Sequence, residues 1–231
     1  MMGELIPYQM RMDDAITFSL LICVLLIVAA TILLGRPLFR QLGQMPLFAY
    51  RKKDTSEIAT LGKVQALLLI QTCMATGLLI FAISIGRHPS LLQSSIPNMV
   101  LLAIYILATT LFLFLHWLLH QFIGWLFFET SQVKLAIGGW INAVCLAGIC
   151  FWLLVIANVY LDLSIVILTI LVLIVMLLTA ILLFCWFLKL FYSNFYGSLL
   201  IFSYLCALEI IPTILMVFGM VSLNEYLILN Y

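Results

Sequence analysis

The chain has 231 residues, 66% hydrophobic and 8% charged, with a formal net charge of +1. Globular domains carry about 25% charged residues, so a water-soluble fold is excluded, and so is a basic surface built for nucleic acid. Apolar runs of about 20 residues recur, each long enough to cross a bilayer as a helix, and no stretch of about ten residues alternates as a membrane β-strand would. The expected fold is all-α: one integral-membrane domain, residues 1–231, made of about six transmembrane helices.

The first span is Ala15–Leu34. Its leader holds Glu4, Asp13 and Asp14 against Arg11 alone, whereas a cleavable signal has a positive start and a short apolar core. It therefore reads as a retained first helix. The loop that follows, Gly35–Lys63, contains Arg36, Arg40, Arg51, Lys52, Lys53 and Lys63. The positive-inside rule puts this loop in the cytoplasm and, by alternation, both termini outside it. Lys134 and Lys189 fall on the same side as the loop, Arg11 and Arg87 on the other. Within the loop, "RPLFRQLGQMPLFAYRKK" interleaves aromatic and basic residues. Such a stretch is either an ordinary juxtamembrane connection or a surface for lipid headgroups or a partner, with Arg36, Arg40, Arg51, Lys52 and Lys53 as its charges.

The second span, Val64–Ile85, carries Gln71 and stops at the turn residues GRHPS. The third begins after Pro97 and runs to about Phe122. It holds His116 and His120, four residues apart on one helical face, with Tyr105 and Thr109 on the same face. Two histidines so spaced are half of a helical metal site. No HExxH and no second histidine–carboxylate pair supplies the other half, so neither metal nor cofactor is expected. The two histidines read as hydrogen-bonding groups near the cytoplasmic interface. The stretch His120–Lys134, with Trp125, Phe127 and Phe128, is expected to lie along that interface before the fourth helix enters.

The fourth span is Leu135–Tyr160, and Gly139, Ala143 and Ala147 give it a face of small residues suited to close helix approach. Asn142 and Asn158 are expected to hydrogen-bond between helices. The short turn YLDLS joins it to the fifth span, Leu163–Leu188, so the two must form an antiparallel hairpin with Asp162 at its outer end. All six cysteines fall in apolar runs without a CxxC pair and read as packing residues.

The sixth span, Ser198–Ser222, has Glu209 near its centre. An ionised carboxylate there costs at least about 3 kcal/mol, so it must be neutral, paired or facing a wet cavity. Pro212 cannot donate to the carbonyl of Leu208, which predicts a kink. Three readings of Glu209 follow: a protonated group tying helices together, a proton-, ion- or substrate-contacting group, or a contact with a partner subunit. Buried polar groups in lipid need partners, so Gln71, Glu209 and His116 are expected to form a cluster if their helices are neighbours.

The segment "YLCALEIIPTILM" resembles the C-terminal signature of a Bacteroidota family of small inner-membrane proteins, catalogued only as a domain of unknown function. Tyr204, Leu205, Cys206, Leu208, Glu209, Ile210 and Pro212 carry the likeness, with Ile211 in place of the usual leucine; "RPLFRQL" and "GWLF" fit as well. The resemblance implies a multi-pass protein of a bacterial inner membrane and lends no reaction. GxSxG, P-loop and dinucleotide motifs do not occur. A non-enzymatic subunit or assembly factor of an envelope membrane complex is therefore expected, its partners being the bilayer and another membrane protein. An ion-coupled transporter using Glu209, and a lipid-modifying enzyme using the histidines, are the alternatives.

Overall fold

The computed structural model describes residues 14–34, 55–88, 97–127, 130–191 and 211–230. They form six α-helices and no strand: α1 Asp14–Leu34, α2 Thr55–Arg87, α3 Asn98–Phe127, α4 Thr130–Leu161, α5 Ile165–Phe191 and α6 Ile211–Asn230. The first five are each long and apolar enough to cross a membrane, and α6 adds a shorter apolar stretch, Ile211–Leu227. The chain is a multi-pass membrane protein built as a helical bundle.

Helix α2 is the centre of the bundle and packs against α1, α3, α4 and α5. Its buried residues Val64, Leu68, Gln71, Ala75, Leu78, Ala82 and Ile85 follow one another at intervals of four and three. That spacing keeps a seam on one side of a helix and suits shallow left-handed crossings. The main core joins Leu78, Phe81 and Ile85 of α2 to Cys23 of α1, Tyr105 of α3, Phe151 and Val155 of α4, Leu168 of α5 and Leu227 of α6. Helix α5 lies at the rim. Only 6% of its most apolar stretch is buried, against 50% for α2, so lipid-facing side chains such as Leu173, Leu177 and Ile181 cover most of it.

Two corners set the order of the helices. Between α4 and α5, Asp162 takes a left-handed backbone conformation with φ 45°, which a short polar residue tolerates better than most. Ser164 then caps α5, its hydroxyl accepting from the Ile167 N–H at 3.4 Å. The hairpin expected from YLDLS is thus formed, and Asp162 is exposed at its tip. The other corner corrects an expectation. The stretch His120–Lys134 is not a separate segment between helices: α3 continues to Phe127 and α4 begins at Thr130. Two long helices meet end to end there, and Gly124 permits it: a Cβ at that position would stand 2.8 Å from Val133 Cγ1.

The contact between α2 and α4 also depends on a missing side chain. A Cβ on Gly148 would fall 2.0 Å from Thr72 Oγ1 and 2.6 Å from its Cβ. The β-branched threonine has little freedom to turn away. By contrast, a Cβ on Gly138 meets nothing within 4 Å. Gly148→Ala is therefore expected to destabilise the bundle by about 1–3 kcal/mol, the usual cost of overpacking, while Gly138→Ala leaves stability unchanged or raises it slightly. Unfolding in mixed detergent micelles, followed by tryptophan fluorescence, compares the two.

Candidate functional site

The polar face of α3 turns inward. Tyr105, Thr109, His116 and His120 are all buried, while Leu107, Leu111, Leu115, Leu118 and Phe122 are exposed. This inverts the amphipathic helix of a soluble protein for a simple reason: hydrocarbon solvates leucine and cannot hydrogen-bond a hydroxyl or an imidazole. Thr109 has a choice of acceptors for its one hydroxyl proton: the carbonyls of Ile106 at 2.9 Å and Tyr105 at 3.0 Å in its own helix, and that of Cys73 in α2 at 3.2 Å.

At one end of the bundle the stripe ties three helices together. The Tyr105 hydroxyl donates to Asn224 Oδ1 of α6. The Asn224 amide in turn donates to Ser84 Oγ of α2 at 3.1 Å. Leu227, one turn further on, is buried, and Met220 and Leu223 pack against the same core. Asn224 thus sits at the centre of the contact that holds α6.

At the other end lies a column of rings. The imidazoles of His116 and His120 stack with centroids 5.0 Å apart and planes 23° from parallel. Trp140 of α4 stands against both, at 5.1 and 5.0 Å. Phe112 adjoins His116 at 5.5 Å, and Phe187 of α5 lies parallel to His120 at 6.5 Å. Next to Trp140, Gly139 admits the Trp186 indole, whose Nε1 would be 1.9 Å from any Cβ there. His120, Trp140 and Phe187 are each roughly 30 Å along their helices from the opposite ends at Asn98, Leu161 and Ile165, at 1.5 Å per residue. That distance is about the thickness of the hydrocarbon core of a bilayer, so the column lies about one such thickness from the other end of the bundle.

Between these levels lies Gln71, fully buried within the α2 seam. Its Nε2 donates to the Gly148 carbonyl of α4 at 3.3 Å. Among the described residues its Oε1 has no hydrogen-bond partner, nor do the buried indole N–H groups of Trp140, Trp152 and Trp186. Gln65 donates to Asn142 Oδ1 at 2.9 Å, which makes Asn142 a bridge between α2 and α4. Asn158 is buried towards the far end of α4.

Gln71 and His116 are not brought together. They meet α4 at Gly148 and Trp140 respectively, two turns and about 12 Å apart. Glu209, the third member of the expected cluster, lies outside the described residues, as do Arg36, Arg40, Arg51, Lys52 and Lys53. Pro212 lies in the first described turn of α6; Leu208, whose carbonyl bears on the kink expected at Pro212, lies outside the described residues. The small residues of α4 serve two neighbours: Gly139 and Ala143 face α5 through Trp186, Leu183 and Phe187, whereas Ala147 joins the core around α2. Among the described residues, no three histidine, cysteine or acidic side chains are grouped to hold a metal ion.

Sequence reasoning missed Ser84, Asn224, Gln65 and Trp140. Asn224 lies just past the expected end of the sixth span at Ser222, where an asparagine reads as solvated. The signal that could have found it is its place between Leu223 and Leu227, both of which face the core.

An inward polar stripe, an apolar outer surface and five membrane-length helices define an α-helical multi-pass membrane protein. A family model described as a domain of unknown function (DUF4271) matches residues 17–220, and the chain belongs to that family. No curated protein and no solved structure matches it. The match takes in α1 from its first turn and the ring column, and ends before Asn224.

Asn224→Leu removes both hydrogen bonds of the α6 contact and leaves the Tyr105 and Ser84 hydroxyls without it. The expected loss is about 1–3 kcal/mol, the cost of orphaned buried polar groups. Adding Tyr105→Phe should cost little more than the single change, because the orphaned phenol is then gone. Micelle unfolding of the single and double variants measures the difference.

Proposed function

We propose that the chain is a non-enzymatic protein of a bacterial inner membrane, acting as a subunit or assembly factor of an envelope complex. The observation that carries this reading is α5. It is the most apolar of the five long helices, with a mean hydropathy of 3.3, and only 6% of its most apolar stretch is buried among the described residues. Such a helix offers other membrane helices a broad surface for van der Waals packing, which drives association in lipid. The interhelical bonds of Tyr105, Asn224, Gln65, Gln71 and Thr109 support the same reading, because these groups bond within the bundle. Lys63, Lys134 and Lys189 lie at the same end as the ring column and Arg87 at the other, which supports a cytoplasmic position for the lysine-bearing end. The resemblance of the Glu209 segment to a Bacteroidota signature supports the inner-membrane assignment.

Cross-linking in cells, followed by membrane fractionation and mass spectrometry, tests the proposal. A stoichiometric membrane-protein partner is expected in the inner-membrane fraction, joined through α5. A chain that emerges alone with a retained ion or lipid would contradict it and favour the transporter or lipid-enzyme alternatives. In the same cells an impermeant thiol reagent should label a cysteine replacing Arg87 and not one replacing Arg51; the opposite pattern reverses the orientation.

A further inference from the structure

Within the contact between α2 and α4, two buried groups of opposite hydrogen-bonding sense are left over. Gln71 is fully buried, and its Nε2 donates to the Gly148 carbonyl at 3.3 Å. That bond fixes the amide and leaves Oε1 as an acceptor without a partner among the described residues. The Trp152 indole N–H is a donor in the same condition, buried and unbonded among the described residues. A polar group taken out of water and left unbonded keeps the full cost of its desolvation, and hydrocarbon offers no remedy.

The packing of α2 on α4 brings the two groups to one level. Gln65 with Asn142 and Gln71 with Gly148 are both pairs 77 residues apart, so the helices run in step and Ala75 stands level with Trp152. Trp152 lies four residues beyond Gly148, on the same face of α4. In a helix the carbonyl of residue 148 points at the N–H of residue 152, so the Gln71 amide that reaches this carbonyl lies at the foot of Trp152. A long helical side chain leans back over the turn N-terminal to it, which carries the Trp152 indole towards the Gln71 amide. Trp152 packs against the cluster that contains the small, buried Ala75. The other two unbonded indoles are too far along the bundle: Trp140 is two turns back on α4, about 12 Å, and Trp186 lies beside Gly139.

Whatever joins these groups must accept from the indole and donate to the amide oxygen. A cation suits the oxygen and is repelled by the N–H; an anion does the reverse. Neither would find a counter-charge, because positions 64–86 of α2 and 135–160 of α4 contain no charged residue, and an unpaired ion within hydrocarbon is costly. A neutral water molecule does both. Thr72 stands against Gly148, and its hydroxyl, which donates to the Leu68 carbonyl at 2.8 Å, can still accept the second proton of that water. Three hydrogen bonds are the usual complement of a buried water. We infer that Gln71 and Trp152 hold one ordered water molecule between α2 and α4, linking the indole N–H to Oε1. The inference stands apart from the partner reading above, since it rests on the interior of the bundle alone.

The test is NMR of the full chain in lipid nanodiscs, labelled with 15N tryptophan, with the Trp152 indole signal assigned by its loss in Trp152→Phe. Magnetisation transfer from water to the Trp152 indole proton is expected, at a pH where that proton exchanges slowly, and it should disappear in Gln71→Leu. No transfer in the wild-type chain, or undiminished transfer in Gln71→Leu, overturns the inference. Should Gln71→Leu fail to fold, Gln71→Met, of similar length and without the amide, takes its place. Micelle unfolding supplies a second measurement. Trp152→Phe should lower the unfolding midpoint more in the wild-type chain than in Gln71→Met, because the second background has already lost the shared water. Equal shifts in the two backgrounds contradict a shared water.

Discussion

Within hydrocarbon a hydroxyl, an amide or an imidazole has no water to bond and must find its partner inside the protein. Most of this structure follows from that constraint. It turns Tyr105, Thr109, His116 and His120 of α3 towards the bundle and leaves the leucines of the same helix to the lipid. It places Gln71 on the seam of α2, where the Gly148 carbonyl accepts from its amide. It also explains why α5, with little to hydrogen-bond beyond its own backbone, is free to lie at the rim.

Close packing then supplies what hydrogen bonds do not. Lipid tails are as apolar as leucine, so helices in a membrane gain from contact chiefly where they come unusually near. Gly148 against Thr72 and Gly139 against Trp186 are such places. The central helix α2 draws on both resources, with small Ala75 and Ala82 along its seam and polar Gln71 among them. A polar residue on a seam resists sliding, because a shift of one turn would strand its amide.

Much of this was legible in the sequence, for physical reasons. Runs of about 20 apolar residues have few folded fates, so the spans could be read directly. The 3.6-residue period put Tyr105, Thr109, His116 and His120 on one face before any neighbour was known. What could not be read were contacts that depend on a second helix. The aromatic residues between His120 and Lys134 looked like an interfacial belt, yet the Gly124–Val133 contact turns that stretch into a corner. Gly139, Ala143 and Ala147 announced close packing without saying that α5 takes two of them and α2 the third. Asn224 gave no sign of its role, since its partners Tyr105 and Ser84 are distant in sequence. Glu209 and the basic loop, the most conspicuous features of the sequence, lie outside the described residues.

The bundle therefore has two polar levels, the Asn224 contact towards one end and the histidine column towards the other, joined by the inner face of α3. The orientation of that face is the central claim. Spin labels introduced singly along α3 in the reconstituted protein test it through their collision rates with dissolved oxygen, which is concentrated in lipid. Labels at Leu107, Leu111 and Leu118 should collide freely, and labels at Thr109, His116 and His120 several-fold less often. Equal rates along both sets, or a maximum on the histidine side, would contradict the account.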